Sequence, residues 1–427
     1  MEIKGDIVVH NLIFEKSIYA FEKFNEYYLV IVNVKHNSLF VYDKDVRVIW
    51  NLINEKTMLD NLYDKLIIMG YKLEKKELYD IIDILAKSGI LICDIIEEDL
   101  EYIKENNQLE DYCNECMSHI MPTTLHIELT NNCNLKCIHC FHDEIHNSLS
   151  FDELNELFGK LRKSQFVKVT LTGGEITTLP YWREIVKSAK RNGMIVSILS
   201  SFTLMDYSDV DFILDTNIHS IKTSLYGSTP EVHDSITGVK GSFKKTFNIL
   251  NYMAEKEAPV AVSCTIMKNN VEQILDLKNI IDKLGVKILF DYIISPSRSN
   301  TKDVEKISIT SKEFKYFAEQ GILQKPKRIL CSACKYRIRI SQTGEIYSCE
   351  SLSVSLGNIR KDNLLDVING AEIKKLAEKI AKYDPEECNG CKYDKYCTRC
   401  PALIWNKPPY ENIHSELLCF YTKIACE

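Results

Sequence analysis

The chain has 427 residues, too many for one ordinary hydrophobic core, so two or three domains are expected. A hydrophobic share of 45% and a charged share of 26% are those of a globular protein in water, and a net charge of -7 argues against nucleic acid as the main partner, since phosphate binding draws a basic balance. The opening MEIKGDIVVHNLIFEKSIYAFEKF lacks the basic start, apolar block and small-residue cleavage site of a signal peptide. No apolar run reaches about 18 residues either, so a cytoplasmic protein with no membrane partner is expected.

Residues 1–96 read as a small α+β module. YYLVIVNV (27–34) and SLFVYDK (38–44) are β-rich with turn chemistry between them, which predicts a hairpin. DVRVIWNLIN (45–54), MLDNLYDKLIIMG (58–70) and KKELYDIIDILAKSG (75–89) carry helical apolar spacing, the last two stopping at Gly70 and Gly89, and ILIC (90–93) is a closing strand. The outline is winged-helix-like. Such domains often bind DNA, but this one shows no basic recognition helix.

Residues 97–121 form a boundary. The stretch EEDLEYIKENNQLEDYCNE has eight acidic residues against one lysine, the pattern of a solvated face or linker.

From 122 to 310 strands and helices alternate. TTLHIELT (123–130), VKVTLTG (167–173), MIVSILSS (194–201), SIKTSLYG (220–227), PVAVSCTIM (259–267) and KILFDYIIS (287–295) are β-rich, with helical segments such as 151–164, 246–256 and 274–285 between them. This α/β alternation predicts a parallel sheet closed into a partial (β/α)6 barrel, its site at the strand C-terminal ends. On the fifth run the period of two puts Ser263 and Thr265 on one face and Val260, Val262, Cys264 and Ile266 on the other. The polar pair is assigned to the barrel interior. Cys264 is then either a packed thiol or a hydrogen-atom donor, and packing is the preferred reading.

Sixteen cysteines in a reducing compartment point to metal ligation or catalysis. NCNLKCIHCFH (132–142), directly after the first barrel strand, holds Cys133, Cys137 and Cys140. A structural zinc takes four ligands and a ferredoxin cluster four thiolates. Three thiolates on an iron-sulfur cluster leave one iron open to a small molecule. Residues 311–427 hold Cys331-x2-Cys334-x14-Cys349 and Cys388-x2-Cys391-x5-Cys397-x2-Cys400-x18-Cys419. Eight thiols suit two four-ligand sites, and spacing alone allows two zincs or two clusters. Cys113 and Cys116, upstream of the barrel, are a metal or redox pair or accessory thiols, the latter preferred.

Cys133-x3-Cys137-x2-Cys140 after the first strand of such a barrel resembles the signature of the radical S-adenosylmethionine (SAM) enzymes. The resemblance implies that these thiolates hold a 4Fe-4S cluster whose open iron is chelated by SAM. Gly173, Gly174 and Glu175 fall at the family's Gly-Gly-Glu element, where a carboxylate can receive the methionine ammonium. His139 takes the aromatic position that the resemblance puts against the adenine, and Ser224 of SLYG takes the ribose-contacting position. Ser263 and Thr265 are further candidate cofactor contacts. One departure stands out: the third strand commonly ends in Asn-Gly, and here Ser201-Phe202 follows it.

The C-terminal cysteines resemble the SPASM extension with two auxiliary 4Fe-4S clusters. By that resemblance one site takes Cys331, Cys334, Cys349 and Cys400, the other Cys388, Cys391, Cys397 and Cys419. The family often has three residues between its last paired cysteines, where this chain has Thr398 and Arg399. The N-terminal module resembles a precursor-peptide recognition element, to whose sheet edge a leader peptide adds a strand. The resemblance implies a maturase that generates a 5'-deoxyadenosyl radical and forms thioether bonds in a ribosomal precursor peptide with a leader, as in sactipeptides and ranthipeptides. A flavodoxin or ferredoxin would supply electrons. Carbon-carbon crosslinking and formylglycine formation are the alternatives within the class, and a tRNA-modifying radical enzyme is a more distant one.

Overall fold

The computed structural model describes residues 12–93 except 24, 26 and 27, then 108–118, 121–142, 146–294, 304–323, 331–383, 386–397, 400–402, 419, 421–423 and 426. The N-terminal module opens with two strands that the sequence reading did not find, β1 (Ile13–Lys16) and β2 (Ala20–Lys23). The expected hairpin follows as β3 (Leu29–Asn33) and β4 (Ser38–Tyr42), paired antiparallel. After it come α1 (Lys44–Leu52), the two-residue β5 (Thr57–Met58), α2 (Leu59–Ile68), α3 (Lys75–Lys87) and β6 (Leu91–Cys93). Two small sheets result, ordered β2-β3-β4 and β5-β1-β6. Their core joins Phe14, Leu29, Ile31 and Phe40 of the strands to Trp50 of α1, Leu62 and Leu66 of α2 and Leu78, Ile82 and Leu85 of α3, spaced three or four residues apart within α2 and α3.

The acidic stretch contains a packed helix. In α4 (Leu109–Ser118), Leu109, Tyr112, Cys113 and Cys116 fall on one face and are all buried. Cys113 and Cys116 are both part of the apolar contact between module and barrel. Residues 97–107 of that stretch lie outside the described ones.

The barrel strands are β7 (Thr124–Glu128), β8 (Lys168–Thr172), β9 (Ile195–Leu199), β10 (Ser220–Ser224), β11 (Val260–Thr265) and β12 (Lys287–Asp291). All pair in parallel in chain order. Between them run α5 (Phe151–Leu161), α6 (Trp182–Arg191), α7 (Tyr207–Asp215), α8 (Pro230–Thr237), α9 (Ser242–Glu255) and α10 (Ile274–Lys283). Ser150 and Glu153 start α5 with a capping box, and Leu154, Leu157, Phe158 and Leu161 give it a buried stripe.

Beyond the barrel come α11 (Val304–Ile307), α12 (Ser311–Glu319), β13 (Arg337–Ile340), β14 (Glu345–Tyr347), β15 (Ser355–Asn358), α13 (Leu364–Asn369) and α14 (Ala371–Ala381). β13 pairs in parallel with β7, and β14 and β15 continue antiparallel, so one nine-stranded sheet runs from β12 to β15. The first barrel strand is therefore not an edge.

Candidate active site

The strand alternation sorts the barrel's two faces. Leu125, Ile127, Val169, Leu171, Val196, Ile198, Ile221, Val262 and Cys264 belong to the core under the helices. The intervening positions, His126, Glu128, Thr170, Thr172, Ser197, Lys222, Ser224, Ser263 and Thr265, share the interior face. Register places Ser224 beside Ser263. Cys264 is 0% exposed, its Sγ 3.8 Å from both the Thr265 carbonyl and the Asn270 amide.

Cys133, Cys137 and Cys140 lie in the loop that leaves β7 at the C-terminal mouth. Cys133 is exposed and the other two half-buried. The loop is held by main-chain bonds from a distant helix end: Lys136 N–H donates to Thr237 O at 2.8 Å and Ile138 N–H to Ile236 O at 3.0 Å. Gly238, which caps α8 in a left-handed conformation (φ 70°), allows this approach, because a Cβ there would sit 3.0 Å from Lys136 O. The sequence reading missed this support, whose signal was the Pro230 start and Gly238 stop of a short helix after the SLYG strand.

Gly173 and Gly174 are forced by their neighbours. A Cβ on either would run into the backbone carbonyl of Thr130 or Asn132 at the end of β7. His139 is seated by Tyr226, whose hydroxyl is 3.1 Å from Nε2 and also bonds Ser224. The Tyr226 N–H in turn donates to Nδ1 of the buried His233 at 3.1 Å, which fixes that imidazole as an acceptor there. Burial holds His233 down at about 4, so it is neutral at physiological pH. Glu175 is fully buried beside this mouth.

On the SPASM side the thiols of Cys331, Cys334, Cys349 and Cys400 are linked pairwise rather than gathered at one point. Each of the first three feels another of the set electrostatically: Cys331 feels Cys400, Cys334 feels Cys349 and Cys331, and Cys349 feels Cys331. Burial pushes Cys334 up to about 12 and Cys349 to about 11, so metal binding there must displace protons. Cys388, Cys391 and Cys397 follow one another through tight turns, with Cys391 N–H on Cys388 O at 3.1 Å and Cys397 N–H on Asp394 O at 3.2 Å. Cys419 arrives from beyond 403–418, which lie outside the described residues, as do Thr398 and Arg399.

The donor sets are all thiol, the chemistry of iron-sulfur clusters. Among the described residues no three Cys, His, Asp or Glu side chains converge as one metal ion requires.

A charged seam joins the two cysteine regions inside the barrel. Arg339 of β13 donates to both oxygens of Glu128 of β7 at 3.3 Å, the two side chains being 1% and 2% exposed. Its guanidinium lies 3.8 Å from the centre of the Tyr347 ring. Glu350, next to Cys349, pairs with Arg337 and stands 3.4 Å from His126 Nδ1.

Residues 127–283 match the Radical SAM superfamily, and residues 331–401 match the SPASM iron-sulfur cluster-binding domain. The chain belongs to the radical SAM enzymes that carry a SPASM domain. It therefore uses SAM and 4Fe-4S clusters, one for the radical domain and auxiliary clusters for the SPASM domain. Among curated proteins it is 27% identical to the antilisterial bacteriocin subtilosin biosynthesis protein AlbA of Bacillus subtilis (strain 168), over 72% of this chain and 73% of that one. It is 24% identical to an AdoMet-dependent heme synthase of Methanosarcina barkeri, over 70% and 97%. Streptococcus suis SuiB, solved bound to its precursor peptide SuiA, shares the fold with a TM-score of 0.61 at 15% identity, covering 95% of this chain and 99% of that one. Among the described residues no helix is long and apolar enough to cross a membrane.

Proposed function

We propose that this chain matures a ribosomally synthesised, leader-bearing precursor peptide by closing thioether bonds from cysteine sulfur to carbon. The observation that carries the reading is the reach of the likeness to peptide-bound SuiB. At 95% of the chain it takes in the N-terminal module as well as both cysteine regions. Likeness to AlbA, a bacteriocin biosynthesis protein, supports the same class.

Cys133, Cys137 and Cys140 would hold the first cluster. Cys331, Cys334, Cys349 and Cys400, and Cys388, Cys391, Cys397 and Cys419, would hold the auxiliary ones. Gly173, Gly174, His139, Ser224, Ser263 and Thr265 would line the SAM site. Bound there, cluster and SAM would supply the radical chemistry that activates a carbon-hydrogen bond. The chain's own residues orient and exclude. Tyr226 fixes His139 and Ser224 together, while the buried Glu128–Arg339 pair fills the interior wall and keeps water from it.

In the sheet β5-β1-β6 the outer side of β6 has no partner strand among the described residues. Ile92 on β6 is an exposed hydrophobic there. That edge is where a leader would add a strand.

The test is the intact mass of a cysteine-containing peptide encoded beside this gene, after anaerobic incubation with reconstituted protein, SAM and a reductant. Loss of two hydrogens per bond with cysteines no longer alkylatable is the expected result. The same loss with free cysteines means carbon-carbon crosslinking and sinks the thioether. A second reading, porphyrin modification, is favoured by the near-complete coverage of the heme synthase. A visible-spectrum change on incubation with an iron porphyrin, beside an unmodified peptide, would establish it instead.

A further inference from the structure

Glu175 lies three residues beyond β8, where the family resemblance has a carboxylate meet the methionine ammonium, yet here it is 0% exposed and fully engaged. Oε1 accepts from Thr177 N–H at 3.1 Å, Thr177 Oγ1 at 2.6 Å and Ser200 Oγ at 2.7 Å. Oε2 accepts from Ser201 N–H at 2.7 Å and Ser201 Oγ at 2.6 Å. A carboxylate offers about four lone-pair sites, so five donors exhaust it. Two of them are backbone N–H groups, which cannot swing away as hydroxyls can.

The network continues toward the first cluster's loop. Ser201 Oγ lies 2.7 Å from Thr203 Oγ1, and the Asn134 amide donates to Thr203 Oγ1 at 2.9 Å. Asn134 directly follows Cys133. Between Ser201 and Thr203 the buried Phe202 holds φ at 65°, a left-handed shape rare for a bulky residue. The turn after β9 thus keeps a glycine-like backbone without a glycine and turns its hydroxyls on Glu175.

We propose that Glu175 is a positioning residue: it braces the ends of β8 and β9 and, through Ser201, Thr203 and Asn134, the cluster loop, while the amino group of SAM is received by other acceptors. This rests on the radical SAM reading of the mouth. The arrangement joins the missing Asn-Gly pair and the buried carboxylate into one device, since a saturated Glu175 is what the Ser200-Ser201-Phe202 turn produces.

The test uses the full chain with reconstituted clusters. Dissociation constants for SAM and for its deamino analogue are measured on wild type, Glu175→Gln, Thr203→Val and Thr203→Ser, with the EPR spectrum of the reduced protein before and after ligand. Brace action weakens both ligands by the same factor in Glu175→Gln, about ten-fold for a lost charge-assisted bond. Thr203→Val, which leaves the carboxylate untouched, should weaken both less and shift the ligand-induced EPR change. Thr203→Ser should behave as wild type. If Glu175→Gln weakens SAM alone, the carboxylate pairs directly with the amino group and the proposal is overturned. It is equally overturned if Glu175→Gln weakens neither ligand or if Thr203→Val matches wild type. Should Glu175→Gln fail to fold, the two Thr203 variants decide. Wild type that binds neither ligand and shows no EPR response would sink the radical SAM reading itself, a result distinct from all of these.

Discussion

Cys264 is a residue whose chemistry the sequence left open and whose surroundings close it. It sits among apolar side chains on the helix-facing side of β11, with burial raising its thiol far above the ordinary range, while Ser263 and Thr265 take the interior face. Cys264→Ala should therefore leave SAM cleavage and peptide modification unchanged and lower stability by roughly 1 kcal/mol. Urea unfolding and product mass together check both halves. Alternation along one strand was enough to read this position correctly. Glu175 and Phe202 were not legible in the same way, because the number of donors on a carboxylate and the sign of φ at a bulky residue depend on a turn folded back from the next strand.

The six barrel strands and the spacing of the first three cysteines could be read from sequence because local pattern dictates them. Supports contributed by distant elements could not. β1 and β2 escaped notice as four-residue strands whose charged ends blur their alternation. α4 was hidden because two of its buried positions are cysteines in an acidic run, which invites a chemical reading over a packing one. α8 is the instructive case. Replacing Gly238 by Ala puts a side chain against Lys136 O in a left-handed conformation that costs roughly 1–2 kcal/mol for an L-residue. The cluster loop should loosen, so iron and sulfide bound after reconstitution should fall, with the loss confined to the site that SAM perturbs in EPR. At the module, Ile92→Asp places a charge on the open face of β6. SAM cleavage should persist, while modification of the full precursor drops at least about ten-fold and that of a leaderless peptide does not change.

Across the whole molecule, the N-terminal module is built into the barrel floor. Phe21, Val30, Val32 and Leu39 meet Val167 and Ile195, which lie at the N-terminal ends of the barrel strands, on the side opposite the cysteine loop. Lys23 reaches into the floor, donating to Arg162 O at 3.1 Å and Asn192 O at 3.4 Å, and Lys190 reaches back to Val34 O at 2.7 Å and the Asn37 side chain at 2.9 Å. Deleting residues 1–96 would bare this floor, so the separate roles of leader recognition and chemistry are better tested by point variants. Burial, helped by the Arg162 charge, pushes Lys23 down to about 7. The unfolded chain then binds more protons than the folded one between that value and the ordinary lysine range. Stability should accordingly rise as pH increases from 7 toward 10, and this part of the rise should vanish in Lys23→Met. Thermal unfolding of both proteins at pH 7 and pH 9 gives the comparison.

The parallel pairing of β7 with β13 has a consequence for how the chain comes off the ribosome. The strand that launches the cluster loop is made early, but its second neighbour and the guanidinium that neutralises Glu128 belong to residues 337–340. Until those residues emerge, the nascent barrel carries an open edge and a stranded carboxylate. A truncation ending before Arg337 should aggregate during synthesis even though residues 127–283, the entire matched radical domain, are present.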